Sequence, residues 1–197
     1  MSPPPFIYLA SQSPRRRELL EQIGVAFRLI EVNVDESRKN DESPQDYVVR
    51  LAEEKAAKGW GTLSPRDRAP VLGADTVVVV NGEILGKPAN VNEASDMLAK
   101  LSARTHEVLS AVCLTDGTPR TMMNRSLVTV RPIGDSERAA YCATSEPMDK
   151  AGAYAIQGRA AAFVSNLEGS YSGVMGLPLF ETAALLSDIG IEVLERR

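Results

Sequence analysis

The segment that most constrains the fold is a long apolar run, "APVLGADTVVVV", followed by Asn81-Gly82 and then by "EILGKP". Asn-Gly between two apolar runs is a strong short-range signal for a β-hairpin, because both residues tolerate the backbone of a type I′ turn. We therefore predict a hairpin that turns at Asn81-Gly82. Asp75 interrupts the first of its two strands, where an unpaired carboxylate would be costly.

Strands and helices alternate along the rest of the chain. Strands are predicted at 6–10, 27–32, 105–117, 121–132 and, as a pair, within 160–176. Helices are predicted at 14–24, 44–58, 92–102, 136–145 and 178–190. Ser-Pro pairs at 13–14 and 43–44 supply an N-cap and a first helical residue, and Gly59 is expected to close the second helix. Adjacent hairpins mixed with helices favour an α/β or mixed α+β sheet.

Composition narrows the class of protein. The 197 residues suit one domain, and 44% apolar with 24% charged residues is ordinary for a packed globular chain. The net charge of −4 argues against a general binder of nucleic acid or of a membrane surface, which would be broadly basic. The start of the chain has no signal-peptide or membrane-span pattern, so a cytoplasmic location is predicted.

Cysteine and histidine are too sparse for several chemistries. Cys113 and Cys142 have no CxxC spacing, and His106 is the one histidine. Disulfide, zinc and Cys-His catalytic sites are therefore disfavoured. We predict that both thiols are small core residues.

The stretch "LASQSPRRRELL" places a cation on the buried side of the first helix. Helical spacing puts Arg16 on the same face as Leu19 and Leu20, with Arg15 at its edge. A cation at a helix N-terminus opposes the helix dipole unless an anion is also present. Together with the hydroxyls of Ser11 and Ser13, it would suit a phosphate. The alternative is that Ser13 only caps the helix and the arginines only face solvent.

Three further charged residues could either belong to the same site or simply face solvent. Lys55 lies four residues beyond Leu51 on the inner face of the second helix, although a lysine there often reaches back to water. Lys87 follows the return strand of the hairpin and would lie near Asp75 if the strands pair about Asn81-Gly82. The alternative is that Lys87 is an ordinary exposed loop lysine. Glu36 lies in an acidic loop that is most simply read as solvated.

Inward cations, a buried carboxylate and the lack of a nucleophilic Cys or His indicate a polyphosphate ligand with a divalent metal. Such a metal would have oxygen ligands, which favours Mg²⁺ or Mn²⁺.

Seven stretches resemble, in order and over nearly the whole chain, the motif series of the Maf family of nucleotide pyrophosphatases. They are "LASQSPRRRELL", "VDES", "RLAEEKA", "VLGADTVV", "ILGKP", "DKAGAYAIQG" and "GSYSGVMGLPL". The resemblance implies a Maf/ITPase-like fold, in which a twisted mixed sheet is flanked by helices and two lobes surround a central cleft.

The resemblance also implies a reaction and the residues that perform it. A nucleoside triphosphate would be hydrolysed between its α and β phosphates. Asp75 would accept a proton from water, and Glu36 would join Asp75 in holding the metal. The phosphates would be bound by Arg15, Arg16, Lys55 and Lys87, with Ser11 and Ser13 beside them.

Two short stretches separate the branches of the family. This chain has "ADT" and "IQG" where the 7-methyl-GTP branch has Ser-Asp-Gln and Ser-Glu-Gly, so it resembles the dTTP and UTP branch. Gln157 would then face the base, since an amide offers both a donor and an acceptor to uracil or thymine, and Thr76, beside Asp75, would also bind substrate. The family also suggests a homodimer. Two alternatives stay open: an inhibitor of septum formation that acts through a protein partner, and a pyrophosphatase for other modified nucleotides.

Overall fold

The computed structural model describes residues 6–193, and within them seven strands form one sheet. The strands are β1 (Ile7–Ala10), β2 (Phe27–Leu29), β3 (Val71–Val80), β4 (Glu83–Leu85), β5 (Thr105–Thr115), β6 (Pro119–Val130) and β7 (Val164–Glu168). Their order is β2-β1-β3-β5-β6-β7, with β4 paired to β3. Because β1 runs parallel to β2 and β3 whereas β4 and β7 run antiparallel to their partners, the sheet is mixed, as predicted.

In the described part of the chain, four helices lie between strands, and two more follow β7. They are α1 (Pro14–Gln22), α2 (Pro44–Thr62), α3 (Val91–Leu101), α4 (Asp135–Cys142), α5 (Tyr171–Met175) and α6 (Leu179–Ser187). Short 3₁₀ turns lie at Glu146–Asp149, Ala151–Ala153 and Arg159–Phe163. No helix within residues 6–193 is long and apolar enough to cross a membrane.

The chain divides into two compact units. Within residues 6–193, the first comprises residues 6–75, 110–124 and 176–193, and the second comprises 76–109 and 125–175. The single domain predicted for residues 1–197 stays a prediction. The fully buried leucines of the first unit include Leu9, Leu19, Leu20, Leu51, Leu72, Leu114, Leu177 and Leu186. The core of the second unit includes Val78, Leu98, Val128, Tyr154 and Phe163.

The hairpin is confirmed. Val80 lies opposite Glu83, so the two residues between them form the turn. Asn81 has φ of 51° and Gly82 has φ of 77°, the left-handed backbone that a two-residue hairpin turn requires.

Helix α2 packs directly on β3 in the first unit. A Cβ at Gly73 would lie 2.3 Å from the carbonyl oxygen of Ala52 and 2.5 Å from the nitrogen of Ala56. Only glycine therefore permits this approach between helix and strand. Asp75 lies two residues beyond Gly73 on β3. Lys55 lies between Ala52 and Ala56, on the part of α2 that contacts β3.

The Ser-Pro starts of α1 and α2 are confirmed, but the end of α2 was predicted wrongly. The helix continues past Gly59 to Thr62. A Cβ at Gly59 would lie 2.9 Å from Val71 Cγ1, so this glycine permits close packing and does not end the helix.

The strand pair predicted within 160–176 is also wrong, since only β7 is a strand there. Gly169 adopts φ of 120°, and the hydroxyl of Ser170 accepts the Gly173 N–H at 2.9 Å. That hydrogen bond opens a helical turn where an apolar pattern had suggested extended chain. The core placement of Cys113 and Cys142 is confirmed, because both are buried.

Candidate functional site

The first unit brings three of the predicted site residues together around one ammonium group. Lys55 Nζ lies 2.7 Å from Asp75 Oδ1 and 2.7 Å from Glu36 Oε1. The inward face predicted for Lys55 is confirmed, since the residue is only 9% exposed and Asp75 only 8%. The side chain of Glu36 is 59% exposed, so one side of this Lys55 cluster reaches solvent.

Arg16 lies on the buried face of α1, as its spacing predicted. Its Nε donates to the Gly176 carbonyl oxygen at 2.8 Å, and its Nη1 donates to Ser11 Oγ at 3.0 Å. Burial lowers the pKa of Arg16, while the negative charges of Asp75 and Glu36 act in the opposite direction. Arg16 therefore lies within the electrostatic field of the two carboxylates.

The two serines play different structural parts. Ser13 is the N-cap of α1, but its side chain makes no capping hydrogen bond. Ser11 Oγ instead accepts the Ser13 N–H at 3.2 Å as well as the Arg16 bond. Ser11 thus orients Arg16. The sequence alone did not show that Ser11 has this role or that the Ser13 side chain makes no cap.

Glu36 belongs to an irregular loop whose anchors the sequence reasoning missed. Tyr47 Oη donates to the Glu36 carbonyl oxygen at 2.8 Å. Arg50 Nη2 donates to the Ser37 carbonyl oxygen at 3.1 Å and to Glu42 Oε2 at 2.9 Å. Hydrogen bonds from Arg50 lower the pKa of Glu42 to about 2. These contacts fix the loop against the first turns of α2.

A partial signal for this anchor existed in the sequence. Arg50 and Glu54 are spaced as an i,i+4 ion pair, and the structure pairs them at 3.3 Å. The bonds to Ser37 and Glu42 join residues 13 and 8 positions apart across an irregular loop, which periodicity does not detect.

Three predicted site residues belong to the second unit. Thr76 is half-buried, whereas Lys87 and Gln157 are exposed. The Gly152 N–H donates to the Gly86 carbonyl oxygen at 3.0 Å, which ties the loop before Lys87 to the segment that leads to Gln157. Pairing of β3 with β4 ends at Val78 and Leu85, so the proximity of Lys87 to Asp75 stays a prediction.

The donor set of the Lys55 cluster suits a hard divalent cation. Within residues 6–193, no three His, Cys, Asp or Glu side chains converge as a metal site. The carboxylates of Glu36 and Asp75 do lie close together, each 2.7 Å from Lys55 Nζ, which occupies the point between them. Mg²⁺ commonly takes one or two carboxylates and completes its shell with water and substrate phosphates, so the residues fit such an ion.

Comparison with known proteins identifies the family to which this chain belongs. The chain matches the family described as Maf-like protein over residues 6–189, and it belongs to that family. It is 53% identical over 191 residues to the dTTP/UTP pyrophosphatase of Alkalilimnicola ehrlichii, covering 95% of each chain. It is 51% identical to the dTTP/UTP pyrophosphatase of Nitrosospira multiformis, covering 96% of this chain and 97% of that one.

A weaker likeness exists among solved structures. The Staphylococcus aureus Ham1 protein aligns with a TM-score of 0.42 and 15% identity, covering 63% of this chain and 71% of that chain.

Proposed function

We propose that this protein is a metal-dependent pyrophosphatase that hydrolyses dTTP and UTP to the nucleoside monophosphate and pyrophosphate. The contacts of Glu36 and Asp75 with Lys55 support the reaction, because they place two carboxylates next to a cation that can bind phosphate. Relatives named dTTP/UTP pyrophosphatase at 51–53% identity support the substrate.

Asp75 is proposed to accept the proton of the attacking water. Its burial and its short contact with Lys55 hold the carboxylate in one place, as general-base catalysis requires. Glu36 and Asp75 would hold Mg²⁺ or Mn²⁺. When bound, the ion would offset negative charge on the phosphate oxygens.

The cations are proposed to bind the triphosphate. Arg16 and Lys55 are buried beside acidic groups, so their charges are oriented before substrate arrives. Arg15 and Lys87 would add further charge to the same phosphates, with Ser11 and Ser13 at the start of α1. Fixed positive charge opposite the developing negative charge is the main means by which a protein accelerates phosphoryl transfer.

Thr76 and Gln157 are proposed to select the base. The exposed amide of Gln157 offers both an N–H donor and a carbonyl acceptor, which match the edge of a uracil or thymine ring. A site of this type rejects a base with a different donor pattern because a polar group would be left unpaired.

A panel of triphosphates tests this function. With Mg²⁺ present, dTTP and UTP should be hydrolysed faster than GTP, ATP and 7-methyl-GTP, and the product should be pyrophosphate and not orthophosphate. Comparable rates on the purines would overturn the pyrimidine assignment, and orthophosphate release would overturn the position of cleavage.

A homodimer and a cytoplasmic location belong to the same proposal. Light scattering on the purified protein would test the first, since a mass near 21.3 kDa would indicate a monomer. Fractionation of cells would test the second.

A further inference from the structure

The backbone on either side of Gln157 is held by one carboxylate, that of Glu146. Glu146 Oε2 accepts the Arg159 N–H at 3.1 Å, and Oε1 accepts the Ala160 N–H at 3.3 Å. The hydroxyl of Tyr141 also donates to Oε1, at 2.9 Å. Glu146, which precedes Gln157 by 11 residues, thus binds the backbone amides of Arg159 and Ala160, which follow Gln157 by two and three residues.

The residues before Gln157 are anchored separately. Ala155 and Ile156 are buried, and the Gly158 N–H donates to the Ala155 carbonyl oxygen at 3.0 Å, closing a tight turn. Gln157 itself is exposed within that turn. Its backbone is therefore fixed on both sides while its amide is presented to solvent.

Gly158 fits the same arrangement. A Cβ at this position would lie 2.3 Å from Glu146 Oε1 and 2.6 Å from Oε2. Any larger residue would displace the carboxylate from its three donors, because a contact below 3 Å is not tolerated. Glycine at this position leaves the space that the carboxylate fills.

The electrostatics support a charged Glu146. Burial alone would raise its pKa, but the donors from Arg159, Tyr141 and Ala160 outweigh burial and lower it. A carboxylate that accepts several hydrogen bonds is stabilised in its ionised form. The pKa of the Tyr141 hydroxyl is raised, first by burial and then by its bond to Glu146. The hydroxyl therefore stays protonated and keeps donating.

We propose that Glu146, supported by Tyr141, is a positioning residue for nucleobase selectivity, which it confers by fixing the turn that presents Gln157. The inference rests on the proposed function of Gln157 as the base-reading residue. Discrimination by an amide depends on hydrogen-bond geometry, and small displacements of the amide weaken the correct pair more than they affect nonspecific phosphate binding.

The informative substitution is Glu146→Gln. Glutamine has nearly the same size, but it has one acceptor oxygen where the carboxylate has two, and its NH₂ group would face an amide N–H. At least one of the three donors would lose its acceptor. We expect the ratio of kcat/KM for dTTP to that for GTP to fall about five- to tenfold, which is the range that the net loss of one typical hydrogen bond implies. Gly158→Ala should lower the same ratio without altering any charged residue.

Glu137→Gln is the matched control. Glu137 also lies in the second unit and also accepts a backbone N–H, that of Gly134, while pairing with Arg131. This substitution should change the thermal stability without changing the dTTP to GTP ratio. Hydrogen exchange at the Arg159 and Ala160 amides provides a readout independent of catalysis, and it should accelerate in Glu146→Gln and in Gly158→Ala but not in Glu137→Gln.

The outcomes separate the two proposals. A wild-type protein without pyrimidine preference would overturn the function assigned to Gln157 and this inference with it. A selective wild type combined with an unchanged ratio in folded Glu146→Gln would overturn the positioning role alone. If Glu146→Gln does not fold, an unchanged ratio in folded Gly158→Ala would overturn it equally. A lowered ratio with faster exchange at the two amides would support it.

Discussion

Lys55 Nζ and Asp75 Oδ1 lie 2.7 Å apart, although one residue belongs to α2 and the other to β3. Their separation depends on how closely the helix lies on the strand, which Gly73 controls. The same contact that packs the core of the first unit therefore sets the geometry of the Lys55 cluster.

Substitution of Gly73 by alanine tests this dependence. The added Cβ would meet backbone atoms of α2 at 2.3 and 2.5 Å, so the helix must move. We expect a loss of about 1–3 kcal/mol in the free energy of unfolding, typical of an overpacked core. We also expect a fall in kcat, because Lys55 would move away from Asp75. Urea unfolding and pyrophosphate release measure the two effects.

Gly61→Ala is the control for that experiment. Gly61 also lies in α2, but a Cβ there would meet nothing within 4 Å. Alanine should stabilise the helix by up to about 1 kcal/mol and leave kcat unchanged. Equal destabilisation by both substitutions would contradict the packing role of Gly73.

Neutralisation of Asp75 tests its proposed role as proton acceptor. Asp75→Asn keeps the size of the side chain but removes the base, so kcat should fall by about 10²–10⁴-fold. Asp96→Asn, at an exposed position on α3, should leave the rate unchanged. Circular dichroism would verify that both variants fold. Appreciable turnover by folded Asp75→Asn would contradict the assignment.

Local periodicity predicted much of this site. The inward faces of Arg16 and Lys55 follow from residues three and four positions away, and the hairpin follows from Asn81-Gly82. The end of α2 was predicted wrongly because a glycine can either end a helix or allow a neighbouring element to pack closely. Gly59 does the second, since it allows close packing against Val71.

The contacts of Glu36 could not be predicted in the same way. Its loop has no period, and its position depends on hydrogen bonds from Tyr47 to Glu36 and from Arg50 to Ser37, which join residues 11 and 13 positions apart. Without those partners, an acidic loop is correctly read as a solvated one. The seven motifs in order made Glu36 a candidate site residue, whereas its own neighbourhood in the sequence did not.

Removing the hydroxyl oxygen of Tyr47 would weaken the attachment of the Glu36 loop to α2. Tyr47→Phe removes the hydrogen bond to the Glu36 carbonyl oxygen, which is worth about 1 kcal/mol. We expect the concentration of Mn²⁺ needed for half-maximal activity to rise about fivefold, since Glu36 would be held less firmly. Calorimetric titration of Mn²⁺ into the substrate-free protein should show the same change. Tyr171→Phe, at a side chain 49% exposed, should change neither value.

His106 makes the stability of the second unit sensitive to pH. Its Nε2 lies 2.8 Å from Tyr154 Oη, and among residues 6–193 its Nδ1 has no hydrogen-bond partner. Burial lowers the pKa of His106 from 6.5 to about 4. Between these values the unfolded chain binds a proton that the folded chain does not, so acid favours unfolding.

The free energy of unfolding should therefore decrease as the pH falls from 6.5 towards 4, by about 3 kcal/mol in total from this group. Carboxylates also titrate near the lower end of that range, so the test is the difference between the wild type and His106→Gln, whose amide can still bond Tyr154. Urea unfolding at pH 7, 5.5 and 4.5 should give a steeper loss for the wild type. Parallel curves would indicate that His106 takes up its proton without unfolding, which its buried and half-satisfied ring argues against.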